Sequence, residues 1–287
     1  MKSELHFDLL FRALTESRSL HACGGPTYQV IQTAANELLE QCAVREASPK
    51  PFRFGPFGEL AFSYHAMGTR DTVHLFGLDE LILFAFYWAN RGRYRRTLDI
   101  GANVGLHSII MSRCGFSVTA FEPDPTHFTW LKENLRLNQI RTVQPIQAAV
   151  SDHTGQEEFV RVLGNTTGSH LAGMKDAYGE LERFPVRVED ISSLVAEVDL
   201  MKIDAEGHEP EILFAVPAAT WGKCDAVLEV GSVKNAERIF NHFHKIGVHM
   251  FAQKIGWNRV QHLDQVPTSH REGSLFISSR AEMLPNP

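Results

Sequence analysis

The chain has 287 residues, 44% of them hydrophobic and 22% charged, which is enough for one large domain or for a domain with an extension. Its formal net charge of −6 gives no overall attraction to nucleic acid or to an anionic membrane, so we expect neither as a partner.

The cysteines and the N-terminus favour a cytoplasmic protein. The four cysteines form no C-x-x-C pair, so neither a zinc site nor a disulfide framework is indicated. The first residues, MKSELHFDLLF, carry acids within their apolar part and lack the small-residue cleavage site of a signal peptide. No apolar run approaches the roughly 18 residues of a membrane-spanning helix.

Residues 1–95 are predicted to form a helical cap with a small β-hairpin, on the substrate side of a domain that spans 96–287. Apolar residues recur at helical spacing from Ile31 to Cys42, and an earlier helix precedes them. Residues 52–65 alternate in the manner of a β-hairpin, and the dense apolar run 78–88 predicts a further helix.

The stretch 97–122, TLDIGANVGLHSIIMSRCGFSVTAFE, is typical of a β-turn-α-β unit. An apolar run with Asp99 leads into the turn from Gly101 to Gly105, and a second apolar run ends in Glu122. Such a unit has a small-molecule crevice at the carboxyl ends of its strands. A tight turn in an ordinary α/β protein would explain the glycines, but it gives no packing reason for two acids at successive strand ends.

These residues favour S-adenosylmethionine over a dinucleotide. Asn103 stands where a dinucleotide-binding turn has a glycine that lets the backbone touch the pyrophosphate. Asp99 adds a negative charge, which repels phosphate and attracts a sulfonium. Glu122 is placed to accept hydrogen bonds from ribose hydroxyls. An NAD-dependent oxidoreductase is the more remote alternative.

The alternation of strands and helices after residue 97 predicts an α/β fold, with a mostly parallel twisted sheet and helices on both faces. Strands are also predicted at 156–163 and 185–188, around a segment rich in Gly, Thr and Ser (164–179) that we interpret as a lid or substrate loop. Residues 248–254 and 274–278 are predicted to form a closing antiparallel pair.

A second motif, VDLMKIDAEGHEPE, carries a strand to Asp204 and then turns sharply into a helix. Asp204 and Glu206 lie in the turn, at the same sheet edge as Glu122, so we expect them to face the cofactor or the substrate. Glu209 suits the positive end of the helix dipole, and His208 is interpreted as a solvent-facing residue at the helix start.

The motifs DIGANVG, AFEPDP, SDHTG and MKIDAEGHEPEIL, in this order, resemble the FkbM family of S-adenosylmethionine-dependent methyltransferases, which have a Rossmann-like class I fold. The resemblance covers roughly residues 97–231. It implies three groups of cofactor-binding residues. The methionine part of the cofactor would lie against Asp99, Gly101, Ala102, Asn103 and Gly105. Glu122 would hold the ribose, and the adenine would lie between Pro123 and Asp124 on one side and Ala149, Val150, Ser151 and Asp152 on the other.

The same resemblance places Asp204 near the sulfonium and the acceptor. A hydroxyl acceptor needs a base, for which Asp204 and Glu206 are the main candidates and His208 another. A divalent metal on Asp204, Glu206 and Glu229 is chemically reasonable, but helix capping and cofactor contact explain these acids without one, so none is expected. The role of His107 stays open.

The predicted reaction is methylation of a hydroxyl on a small polar acceptor, a sugar or natural-product intermediate, with S-adenosylhomocysteine as the second product. N-methylation of an amino acid, amide or peptide is the alternative, and a binding module without catalysis is a third class. Four aromatic residues of the cap are candidates for an acceptor wall, although core packing is favoured for the last two: Phe57, Tyr64, Phe84 and Trp88. Neither the acceptor nor the oligomeric state follows from the sequence.

Overall fold

The computed structural model describes residues 2–40, 49–173 and 178–283. The predicted helical position Cys42 and the centre of the 164–179 segment lie outside the described residues. Within these ranges no helix combines the length and the apolarity that crossing a membrane requires.

The described residues of the N-terminal extension form three α-helices and two very short hairpins. Its elements are α1 (Lys2–Glu16), α2 (Pro26–Glu40), β1 (Phe52–Arg53), β2 (Glu59–Leu60), β3 (Ala66–Met67), β4 (Arg70–Asp71) and α3 (Leu78–Ala89). Strand β1 pairs antiparallel with β2 around a 3-10 turn, so the predicted hairpin is confirmed, with strands of two residues each. The predicted helices are confirmed as well.

Residues 96–283 alternate between strands and helices, as predicted. In chain order the elements are β5 (Arg96–Ile100), α4 (Leu106–Arg113), β6 (Ser117–Phe121), α5 (Pro125–Leu137), β7 (Val143–Ile146), β8 (Ala149–Ser151), β9 (Gly155–Val162), β10 (His170–Leu171), β11 (Leu181–Asp190), α6 (Ile191–Leu194), β12 (Leu200–Ile203), α7 (Glu209–Ala215), β13 (Asp225–Glu229), α8 (Val233–Ile246), β14 (His249–Ala252), β15 (Asn258–Arg259) and β16 (Ser274–Ser278).

The main sheet has the order β15-β14-β16-β13-β12-β5-β6-β7. Its five central strands are parallel, and β16 joins them antiparallel and pairs with β14, which confirms the predicted closing pair. The chain moves outward from β5 through β6 and β7, then returns to β12 on the other side of β5. The crevice between the ends of β5 and β12 is therefore the topological switch point, where ligands bind in open α/β sheets.

The insert between β7 and α6 (residues 149–190) forms a second sheet, in the order β10-β9-β11-β8. The predicted strands at 156–163 and 185–188 are found here as β9 and β11, which pair antiparallel. A small apolar cluster that includes Phe159, Leu171 and Val188 holds this sheet together. The insert therefore has a small apolar cluster of its own beside the core of the main sheet.

The N-terminal extension shares its core with the rest of the chain. Phe54 is fully buried among other aromatic rings of the extension, and the same apolar cluster continues into Val104, Ile109 and Leu131. Asn138 at the end of α5 adds a polar link, because its side chain accepts a hydrogen bond from the Ala61 N–H (3.0 Å) and donates one to the Ala61 carbonyl (2.6 Å).

This shared core makes a prediction about Asn138→Ala. The substitution leaves the buried N–H and C=O groups of Ala61 without partners, which costs about 2 kcal/mol or more of unfolding free energy. Urea unfolding followed by circular dichroism and by tryptophan fluorescence should show one coincident transition at a lower midpoint. Asn241→Ala, at an exposed position on α8, should change the stability by less than about 0.5 kcal/mol. Separate transitions by the two probes would contradict a shared core.

Candidate active site

The turn after β5 lies directly against the end of β12. Gly101 has a φ of +73°, and a Cβ at this position would collide with the carbonyl oxygen of Asp204. The N–H groups of Gly101 and Ala102 donate to the Phe121 carbonyl at the end of β6, at 3.0 and 2.9 Å. Glycine is therefore needed both for the backbone conformation and for the close approach of three strand ends.

Glu122 ties the first turn to the second. Its Oε2 accepts a hydrogen bond from the Asn103 N–H and its Oε1 accepts one from the Asp124 N–H, both at 2.8 Å. The residue is 5% exposed, and this burial raises the pKa of Glu122 to about 8. The carboxyl group is thus fixed by backbone contacts while each oxygen keeps a lone pair for a ligand.

Lys202 lies between two of the predicted acids. It is opposite Asp99 in the parallel pairing of β12 with β5, and its Nζ is 3.6 Å from Asp99 Oδ1 and 3.5 Å from Asp204 Oδ2. The same ammonium group donates to the Gly101 carbonyl at 3.1 Å. Burial lowers the pKa of Lys202, but Asp204, Asp99 and other nearby acids outweigh it and raise this pKa above its usual value, so the lysine stays charged.

This arrangement changes the expected role of Asp99. The side chain is fully buried under the turn, where Asp99 Oδ2 accepts a hydrogen bond from Ser108 (2.6 Å) and Oδ1 faces Lys202. The charge of Asp99 is balanced by Lys202, so Asp99 attracts a sulfonium much less than the sequence predicts. Lys202 was not among the predicted site residues, because a single lysine within an apolar strand is not part of any recognisable motif.

A cavity of about 620 Å³ opens at the carboxyl ends of β5, β6 and β12, and we call it the first cavity. Nine of the predicted site residues line it: Gly101, Asn103, Glu122, Pro123, Asp124, Ala149, Val150, Asp204 and Glu206. The other five lie behind its wall or beside it and stay predictions: Asp99, Ala102, Gly105, Ser151 and Asp152.

The insert covers this cavity. Its contributions, which sequence reasoning did not single out, are Phe159, Thr166, Thr167, Ser169, His170 and Leu171. Arg161 on β9 donates two hydrogen bonds of 2.6 Å to Asp124, which caps α5, and His127 lies 2.9 Å from the Thr166 hydroxyl. The composition of the 164–179 segment did indicate a loop near the crevice, and its residues 166–171 contact the cavity.

The interpretation of His208 as a solvent-facing residue is wrong. His208 is 3% exposed, lines the first cavity, and has its Nε2 2.7 Å from the Ser151 hydroxyl of the insert. Burial lowers the pKa of His208, which keeps the ring neutral at pH 7. The start of α7 is covered because strand β8 of the insert packs on it, a long-range contact that the local sequence does not indicate.

The turn that carries Asp204 and Glu206 is held by Glu209. The Glu209 carboxylate accepts hydrogen bonds from the N–H groups of Gly207 (2.9 Å) and Ala205 (3.2 Å), and its burial raises the pKa of Glu209 to about 7. Glu206 has a φ of +52°, the same value as Asn103. Two non-glycine residues with left-handed backbone conformations therefore lie on this one cavity, and such strain is concentrated at functional sites.

His107 joins the extension to the main sheet. Its Nε2 is 2.7 Å from Glu80 Oε2 and its Nδ1 is 3.0 Å from the Tyr87 hydroxyl, both on α3. The aromatic residues proposed as an acceptor wall are elsewhere. Phe57 and Phe84 are buried with Trp88 against the same core, as favoured for the last two, and Tyr64 is 39% exposed. None of the four lines the first cavity or the second one described next.

A second cavity, of about 390 Å³, lies on the other side of Asp204. It is lined by Asp79, Glu80 and Leu83 of α3, by Lys202, Ile203 and Asp204, by Val227, Leu228 and Glu229, and by His270, Gly273 and Ser274. Asp204 lines both cavities. Across the described parts of the chain, no three His, Cys, Asp or Glu side chains are grouped so that they could hold a metal ion.

The five parallel central strands, with the antiparallel strand β16 beside β13, define an α/β protein of the class I methyltransferase type. The Methyltransferase FkbM domain matches residues 99–266, more than half of the chain. The chain belongs to the FkbM methyltransferase family, which confirms the resemblance seen in the motifs.

Two curated relatives are methyltransferases. Hexuronic acid methyltransferase AglP of Haloferax volcanii is 31% identical over 117 residues, covering 40% of this chain and 47% of that protein. Methyltransferase sdnD of Sordaria araneosa is 28% identical over 160 residues, covering 43% of this chain and 61% of that protein. The matches thus span about half to three fifths of the length of these relatives.

Solved structures with a similar fold are more distant in sequence. An S-adenosylmethionine-dependent methyltransferase from Agrobacterium tumefaciens is 13% identical with a TM-score of 0.43, covering 81% of this chain and 71% of that chain. Precorrin-6y C5,15-methyltransferase from Geobacter metallireducens GS-15 is 15% identical with a TM-score of 0.38, covering 69% and 86%.

The contacts of Lys202 predict a large effect of Lys202→Met. The substitution leaves the buried Asp99 carboxylate without its counter-charge, which should cost about 3–5 kcal/mol of unfolding free energy in a urea titration. The double variant Lys202→Met with Asp99→Asn should recover part of this loss, because it removes the uncompensated charge. Additive losses in the double variant, or a loss below about 1 kcal/mol in the single one, would contradict the assigned contact.

Proposed function

We propose that the chain transfers a methyl group from S-adenosylmethionine to a hydroxyl group of a small polar acceptor, a sugar or natural-product intermediate. The observation that carries this proposal is the position of Asp204 between two cavities. One cavity has the residues for a nucleoside, and the other opens toward the N-terminal extension. Methyl transfer needs a donor and an acceptor that meet at one point, and this geometry supplies such a point.

The residues of the first cavity fit this cofactor. Glu122 offers its lone pairs to ribose hydroxyls, and Asn103 Oδ1 is buried without a hydrogen-bond partner in the described chain. No lysine or arginine is part of the described lining, and the nearby Arg161 and Lys202 are already paired with Asp124 and Asp204, so the cavity favours a cationic nucleoside over a dinucleotide with its pyrophosphate. This charge pattern is the main support for S-adenosylmethionine over NAD.

Each predicted cofactor-binding residue then has a role in the proposal. Glu122 holds the ribose, and the adenine lies between Pro123 with Asp124 and Ala149 with Val150. Gly101 and Asn103 face the methionine part, while Asp99, Ala102 and Gly105 hold their turn in place. Ser151 and Asp152 act through His208, since Ser151 contacts His208 and donates to Asp152.

The chemistry assigned to the chain's own residues is alignment and proton removal. When bound, S-adenosylmethionine would supply a methyl group that is activated by the positive sulfur atom; the sulfur keeps the electron pair of the broken S–CH3 bond, and S-adenosylhomocysteine is the leaving group. Asp204 accepts the proton of the acceptor hydroxyl as the new O–CH3 bond forms, with Glu206 as the second carboxylate at that edge. Alignment of two bound reactants and exclusion of water supply about 7–11 kcal/mol in favourable cases.

The two parts of the chain divide this work in the proposal. Residues 96–287 form the cofactor-binding domain, and residues 1–95 form a substrate-side extension that contributes Asp79, Glu80 and Leu83 to the second cavity. The acidic cavities and the net charge of −6 support a small-molecule acceptor rather than a nucleic acid.

Calorimetric titration with S-adenosylmethionine, S-adenosylhomocysteine and NAD tests the proposal. The first two should bind and NAD should not. Glu122→Gln should weaken both by about tenfold or more, because the amide N–H2 of glutamine would face an N–H donor of Asn103 or Asp124. Glu237→Gln, at an exposed position on α8, is the matched control. Binding of NAD alone, or of none of the three, would refute the methyltransferase proposal.

The pKa of Glu122 predicts a pH dependence of nucleoside binding. The ionised carboxylate accepts the ribose hydroxyls, and burial together with the charge of Asp124 raises this pKa to about 8, against the N–H groups and Lys202 that lower it. Affinity should therefore be full above this pH and fall by up to about tenfold per unit below it. 5′-Methylthioadenosine is the suitable probe because it has the ribose and no titrating amine. Glu122→Gln should remove the change in affinity near pH 8, and the lack of any change near pH 8 in the unmodified chain would contradict the assignment.

A further inference from the structure

The second cavity has an unusual excess of acids. Asp79, Glu80, Asp204 and Glu229 all line it, and Lys202 is its one ammonium group within the described lining. This lysine is already committed to Asp99, Asp204 and the Gly101 carbonyl. The described lining therefore has more acidic groups than cationic groups that could pair with them.

Most of these acids have partners inside the protein. Asp79 accepts hydrogen bonds from the Tyr28 hydroxyl (2.7 Å) and from the Gln253 amide (2.6 Å). Glu80 is paired with His107 at 2.7 Å, and Asp204 faces Lys202. Each of these three carboxylates is therefore explained by contacts that the fold itself supplies.

Glu229 is different. It ends β13 half-buried at the cavity, and among the described residues no side chain pairs with its carboxyl group. Burial and the nearby charges of Asp204 and Glu80 raise the pKa of Glu229 well above its usual value. A carboxyl group among other acids and without a partner of its own is a favourable site for a cation from outside the chain.

We infer that the second cavity binds the methyl acceptor through an ammonium group held by Glu229, so that the acceptor is a small compound carrying both an amine and a hydroxyl. This inference rests on the proposed function and names its substrate class. An ammonium group at Glu229 lies at the strand end next to the one that carries Asp204, where a neighbouring hydroxyl is presented to the first cavity. A carboxylate in the same place would meet four acids, and their repulsion would disfavour its binding.

Three fragments of nearly equal size test this inference: 2-aminoethanol, ethylene glycol and glycolate. They are small enough for any acceptor pocket, and they carry a positive, a neutral and a negative group beside one hydroxyl. Ligand-observed NMR titrations are made on the full chain saturated with S-adenosylhomocysteine. We expect 2-aminoethanol to bind at least about tenfold more tightly than ethylene glycol, and glycolate not to bind.

Glu229→Gln removes the charge while keeping the size of the side chain. It should lower the affinity for 2-aminoethanol by about tenfold or more and leave ethylene glycol unchanged, whereas the surface control Glu237→Gln should change neither. Retained binding of S-adenosylhomocysteine shows that the variant is folded. Equal binding of the three fragments, a preference for glycolate, or an unchanged preference in Glu229→Gln overturns the inference.

The two proposals fail in different ways. If S-adenosylhomocysteine binds but the fragments show no charge preference, the inference about the acceptor is wrong and the proposed function stands. If S-adenosylhomocysteine does not bind to the unmodified chain, the proposed function is wrong, and with it the assignment of the second cavity to a methyl acceptor.

Discussion

The buried ammonium group of Lys202 is the contact on which the rest of the site depends. It holds the Gly101 carbonyl of one strand end and the Asp204 carboxylate of the next, and it balances the buried Asp99 below them. Without a cation here, two carboxylates and a carbonyl oxygen would crowd the switch point of the sheet. With it, the turn after β5 can approach the end of β12 so closely that only glycine fits at position 101.

Two additions to the common α/β sheet complete the site from opposite sides. The insert brings a second sheet over the first cavity, where Arg161 holds it to Asp124. The N-terminal extension brings α3 to the other side, where Glu80 contacts His107 of the main domain. Because the extension also shares its aromatic core with α4 and α5, the second cavity is built into the folded core and not added at its surface.

The sequence predicted the fold well, and nine of the predicted site residues line one cavity, because the information in both cases is local. The runs ending near Asp99 and Glu122, the glycine turn between them and the KIDAEG turn are each contained in a short segment. The family match over residues 99–266 confirms what these motifs indicated. The antiparallel closing pair was also visible as two apolar runs.

The remainder depended on contacts between distant segments. The local sequence predicts an exposed His208, because the contact of the insert with the start of α7 is not visible in it. Likewise, it predicts only a strand position for Lys202, because the pairing of β12 with β5 is what places Asp99 beside it. The aromatic residues of the extension look like pocket walls because aromatic side chains suit both pockets and cores. Phe84 is in fact fully buried, and the extension reaches the second cavity through the acids of α3.

A crystal structure of the full chain with S-adenosylhomocysteine tests the assignment of the first cavity most directly. We expect the ribose hydroxyls to contact Glu122, the adenine to lie under the insert near Val150, and the sulfur atom to face Asp204. The second cavity should remain open for the acceptor. Density for the nucleoside in the second cavity, or a ribose turned away from Glu122, would contradict this assignment.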